Sequence, residues 1–144
     1  MKQQNYENHK RLDPKYHFVF TLFVLAVLIC AIINLIQVIN QDANPLSAIV
    51  LLLISVLFMF VVSIIRTYPL KAQDRAIIAE EGLRYLVITG KRLDTGLTRS
   101  QILALRFASD EEFPALCKKA ASENLSNDGI KKAIVSWRAD HFRI

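Results

Sequence analysis

The chain is poor in the residues from which active sites are usually built. Its four glycines, at positions 82, 90, 96 and 129, are too scattered to form a loop that cradles a phosphate. Its three histidines and two cysteines show no ligand spacing that would hold a metal on one element. Cys30 falls in the middle of an apolar run and Cys117 on the apolar face of a predicted helix, so neither is placed for a disulfide. The largest absence is charge. No Lys or Arg occurs from residue 18 to residue 65, and Asp42 is the single acidic residue in that stretch.

What fills the gap is two apolar runs, residues 18–39 and 46–65, joined by the short link 40–45. At about 1.5 Å per helical residue they span roughly 33 and 30 Å, matching a hydrocarbon core of about 30 Å. The pattern predicts an all-α membrane protein: a transmembrane helical hairpin, then a juxtamembrane helix and a small cytoplasmic three-helix module. The first run, at 22 residues, is longer than a signal-peptide core and no small-x-small cleavage site follows it, so it is expected to stay as an anchor.

Charge orients the hairpin. Lys and Arg number 4 before Phe18, 0 through Ile65 and 14 after, against 2, 1 and 10 for Asp and Glu. Basic flanks stay in the cytoplasm, which places both termini there and the link 40–45 outside, in a cell membrane crossed twice. The expected division is a cytoplasmic N-terminal segment 1–17, the hairpin 18–65, a juxtamembrane helix and linker 66–97, and a cytoplasmic helical module 98–144. The net charge of +5 then follows from topology and attraction to anionic headgroups, and the lipid bilayer is the first expected partner.

Polar residues within the runs mark faces that meet protein, because lipid-facing polar groups are costly. Asn34 and Gln37, three apart on one face of the first helix, and Ser55 on the second are the candidate helix–helix contacts. After Ile65, Arg66, Lys71 and Arg75 are candidate headgroup contacts. Pro69 disfavours helix at Tyr68, so the second membrane helix is expected to end or kink there before a new helix over 70–86. Residues 85–89 (YLVIT) fit either the end of that helix or a short extended piece.

In the last third, start signals and periodicity agree on three short helices. Thr98 with Gln101 and Ser109 with Glu112 have the capping-box pattern, and Ser126 caps a third helix. That third helix is expected to carry Ile130, Ala133, Ile134 and Trp137 on one face. With Phe113 and Leu116 of the second helix, Ile130, Ile134 and Trp137 form the candidate core or interaction face. The acids Asp110, Glu111 and Glu112 fit a helix N-terminus better than a catalytic carboxylate cluster.

Gln4–His9 (QNYENH), residues 103–112 (LALRFASDEE) and residues 130–140 (IKKAIVSWRAD), together with YPLKAQDR over 68–75, resemble an uncharacterised family of small bacterial two-span membrane proteins. The motifs have the forms QNYxNH, LALRFASDEE and IKKAIxxWRxD, and the likeness covers nearly the whole chain. It departs over 86–97, where a longer charged helix is expected and VITGKRLDTG stands instead. The resemblance implies a bacterial membrane protein and supplies no mechanism.

No catalytic, cofactor or metal site is expected, and the chain is not expected to be an enzyme. Nucleic acid is a poor fit as a partner, because the basic residues of the module are mixed with acids. The expected role is a membrane-anchored helical protein-interaction module, an accessory subunit or homo-oligomer. The alternatives are a small transport component of oligomerised hairpins around Asn34 and Gln37 and, third, a membrane-bound enzyme.

Overall fold

The computed structural model describes residues 4–8 and 14–140, without the side chains of Lys15 and His17. Among these residues the protein is all-helical, with no strands. A π-helical turn, Lys15–Phe20, runs into α1 (Thr21–Asn40), followed by α2 (Leu46–Thr89), α3 (Arg99–Leu105), α4 (Phe113–Ser122) and α5 (Asn127–Ala133). The wider π turn lets the Thr21 hydroxyl donate to the Tyr16 carbonyl at 3.1 Å. Between α1 and α2 the chain turns at Asp42, which adopts φ 51°, and the Asn44 side chain accepts the Leu46 N–H at 3.0 Å.

α2 corrects the expectation of a helix end at Tyr68. It continues through Pro69 for 44 residues. Proline removes one helical donor, but the residues after it (LKAQDRAIIAEE) are nearly all strong helix formers that resume the ladder at once. Residues 85–89, ambiguous in sequence, are its last turns. It closes at Gly90, whose φ of 70° suits glycine and whose N–H donates to Leu86 O at 2.8 Å.

The described residues form two compact units, residues 14–69 in the first and residues 4–8 with 70–140 in the second. In the first, α1 and the early part of α2 bury little beyond Ala31, Ala48 and Ser55. The Tyr16 hydroxyl donates to Val62 O at 2.9 Å, and the Arg66 guanidinium lies 5.4 Å from the centre of the Tyr16 ring. Nearly all the large side chains of these helices, from Phe18 to Ile65, point outward.

The second unit has an ordinary core. Phe107, Phe113, Leu105, Ile130 and Cys117 are fully buried, with Leu116, Ile134 and Tyr85 beside them and Ile78 and Trp137 packed at the edge. Burying each such large side chain contributes about 1.5–3 kcal/mol, and Tyr85 ties α2 into that core. α3 has the predicted capping box: Thr98 Oγ1 accepts the Gln101 N–H at 3.3 Å, and Gln101 Oε1 accepts the Thr98 N–H at 2.8 Å. The Ser126 hydroxyl caps α5, accepting the Gly129 N–H at 3.0 Å.

Two expectations fail here. α4 starts at Phe113, so Asp110, Glu111 and Glu112 lie in a turn before the helix and not in its first turn. α5 ends at Ala133, and Ile134 is extended with ψ 122°. Trp137 is therefore not on a helix face with Ile130; it forms an antiparallel bridge with Ala108, and its ring lies 5.3 Å from that of Phe107. The second departure goes with the Glu112 carboxylate, which accepts the N–H groups of Val135 and Ser136, each at 3.1 Å, and also that of Ser109 at 3.3 Å. A charged acceptor wins two amides that a longer α5 would have needed.

Candidate functional site

The polar chemistry of the second unit gathers on α2 and on the segments preceding α4 and following α5. Glu81 and Arg84, three apart, share the face of α2 that also bears Tyr85. Arg84 donates to Glu81 Oε2 at 2.8 Å, to Asp110 Oδ1 at 2.7 Å and to Ala108 O at 2.7 Å. Its guanidinium lies 4.2 Å from the centre of the Phe113 ring. Arg106 pairs with Asp140 at 3.0 Å, donates to Leu103 O at 2.9 Å and stacks on Phe107 at 4.3 Å. Each arginine thus joins an apolar ring to a carboxylate.

Glu81 is only 5% exposed, and burial pushes its carboxyl above the ordinary value of 4.5 against the pull of Arg84 and Arg138. Arg138 approaches Glu81 Oε1 at 3.7 Å while its side chain remains 54% exposed. These residues border a cavity of about 300 Å³ lined also by Ile77, Glu80, Arg106 and Asp140. Among the charges around it Glu81 pairs with Arg138 and Arg106 with Asp140, an arrangement suited to locking the fold. Nearby, burial and the Glu81 charge raise the Cys117 thiol to about 12, which keeps it an unreactive core residue.

The N-terminal segment closes the same unit. Gln4 Oε1 accepts the Asp140 N–H at 2.8 Å, and Gln4 Nε2 donates to Asp140 O at 3.4 Å. The Tyr6 hydroxyl donates to Asp128 Oδ1 at 2.5 Å, and Lys132 pairs with the other Asp128 oxygen at 2.7 Å. The three segments with motif-like sequences thereby meet through side chains that tie the fold together.

The anticipated positions divide. Phe113, Leu116, Ile130 and Ile134 are buried and Trp137 is half-buried. Ser55 is buried, but its hydroxyl donates to Leu52 O of its own helix at 2.7 Å. Asn34 is half-buried beside a void of about 420 Å³ bordered by Phe23, Val27, Cys30, Leu51 and Ile54, and Gln37 is exposed. Among the described residues, neither amide makes a side-chain hydrogen bond to α2. Arg66 is half-buried, whereas Lys71 and Arg75 are exposed. His9 and His141 lie outside the described residues. Among the described residues no cluster of three or more His, Cys, Asp or Glu side chains could hold a metal ion.

Sequence reasoning missed Arg84 and the wider roles of Gln101 and Glu112. Gln101 was legible as a capping partner, yet its amide nitrogen also donates to Ala120 O at 3.2 Å and Leu125 O at 3.0 Å, fastening α3 to the end of α4. The family model described as a family of unknown function (DUF6526) matches residues 1–144. No curated protein and no solved structure matches the chain.

Proposed function

Since the chain belongs to the DUF6526 family, whose function is unknown, we propose that it is a membrane-anchored helical module acting through protein–protein contact in a bacterial cell membrane. It works by contact and not by catalysis. The observation that carries the anchoring is the exposure of the two apolar helices: in their most apolar windows only 6% and 11% of residues are buried within the protein. A core helix of a water-soluble protein would be mostly covered, so this much exposed apolar surface calls for lipid. On this reading the two helices cross as a hairpin. The arginine and lysine asymmetry puts both termini and the second unit in the cytoplasm, with Arg66, Lys71 and Arg75 following the second span at headgroup level.

Cysteine accessibility in intact cells, on a Cys30→Ala, Cys117→Ala background, tests this topology. A thiol at Ala43 should react with an impermeant reagent added outside, and one at Glu123 should react only after permeabilisation. The reverse pattern contradicts the orientation, and extraction of the chain from membranes by alkaline carbonate contradicts the anchoring. Chemical crosslinking in native membranes tests the interaction role: a reproducible larger species supports it, and an invariant single chain opposes it.

A further inference from the structure

The outward face of α2 beyond Pro69 has a pattern that the core does not use. Ala72, Ala76, Ala79, Leu83 and Leu86 recur at intervals of four and three residues, the spacing of a two-helix seam, and all five are exposed. The face ends in large side chains, with Leu83 62% and Val87 77% exposed. It lies opposite the Ile77, Glu81 and Tyr85 face buried in the second unit. Arg75 and Glu80 flank the stripe on its two sides. Neither makes an ion pair among the described residues.

We propose that this face is the contact surface for a second copy of the same chain, the two α2 helices lying parallel along the Ala72–Leu86 stripe. Charge complementarity chooses the occupant and the direction. In a parallel pair the residue preceding one seam position faces the residue five further along on the partner helix, so each Arg75 meets the Glu80 of the other copy. An antiparallel pair brings Arg75 toward Gly82 and leaves both charges without a counterion. The alanines allow close approach at the start of the stripe, and Leu83 and Leu86 supply apolar area at its end. This inference rests on the membrane-anchored reading, because copies inserted with one topology present their α2 helices in the same direction.

The test uses the full chain in native membranes, with Cys30→Ala and Cys117→Ala as background. Single thiols introduced at Leu83 and at Leu86 should form disulfide-linked homodimers under mild oxidation, whereas one at Ser122, exposed on α4, should not. Arg75→Glu or Glu80→Arg should each lower the Leu86 crosslink yield roughly fivefold, and the two together should restore it. Both sites are exposed, so circular dichroism and melting should be unchanged by either substitution. Equal crosslinking at Ser122, or failure of the double reversal to restore yield, overturns the proposal. If a photocrosslinker at Leu83 captures only a different protein, the second copy is wrong and the interaction role stands; if it captures no protein, both fall.

Discussion

The two units of this protein are stabilised by opposite means. Among the described residues, 14–69 present apolar side chains outward, and their two helices meet at small buried residues, at the Tyr16 hydrogen bond to Val62 and at the Arg66 contact with the Tyr16 ring. From Leu70 onward the chain buries a compact core and surrounds it with arginine–carboxylate pairs and side chains that capture backbone amides. Removing a polar group should therefore be costly in the second unit and nearly neutral in the first. If the apolar helices sit in lipid, as proposed, the protein divides its polar chemistry between two solvents in this way.

The sharpest way to break the contrast is Phe113→Ala. The ring is fully buried, edge-on to Tyr85 at 6.0 Å and beneath Arg84. Its loss should cost about 3–5 kcal/mol and unfold the second unit. Limited proteolysis should then cut within 98–138 and spare the two membrane-length helices. Glu112→Ala comes next. It leaves three amides without their carboxylate and should cost about 1–3 kcal/mol, less for Glu112→Gln, measured by denaturant melting of the full chain in detergent. Trp137→Ala removes a half-buried ring at the edge of the core and should cost about 2 kcal/mol, against less than about 0.5 for Lys118→Ala, an exposed side chain of α4.

Asn34→Leu with Gln37→Leu sharpens the comparison from the other side. Neither amide bonds to the neighbouring helix, so the melt of the first unit should move by less than about 0.5 kcal/mol while insertion is retained. The smallest effect concerns pH at the N-terminal latch. Hydrogen bonds from Lys132 and Tyr6 hold the Asp128 carboxyl below its ordinary value of 3.8. The contribution of a depressed carboxyl is present above that ordinary value and is lost as pH falls through the lowered one. The Tyr6 hydroxyl, raised above 10.0 chiefly by its bond to Asp128, keeps its proton up to the alkaline end and loses the contact as pH rises through the raised value. Ring signals of Tyr6 followed by NMR should report release at both extremes and none between them.

The contrast was partly legible in the residues. The apolar runs and the Thr98 and Ser126 caps are local signals, set by hydropathy and by neighbours three positions away, and they appear where expected. Pro69 was misleading because strong helix formers on its far side outweigh one missing donor. Trp137 was misleading because the i, i+7 spacing holds only while the helix continues, and Glu112, more than twenty residues earlier, takes the amides of Val135 and Ser136. Arg84 has one local sign, Glu81 three positions before it, but none of its wider role, since Asp110 lies 26 residues away and Ala108 lies 24. Long-range capture of this kind is invisible to periodicity.

Hydrogen exchange of the full chain in lipid nanodiscs, read by mass spectrometry across a denaturant series, tests the division of the protein into two differently stabilised parts most directly. Amides of α1 and of α2 up to Ile65 should stay protected while lipid is present, because the bilayer offers no water to replace their helical bonds. Those of α3, α4 and α5 should lose protection together at a lower denaturant concentration, and earlier still in Glu112→Ala. A single transition shared by all helices, or rapid exchange over 21–65 in intact nanodiscs, would contradict the account.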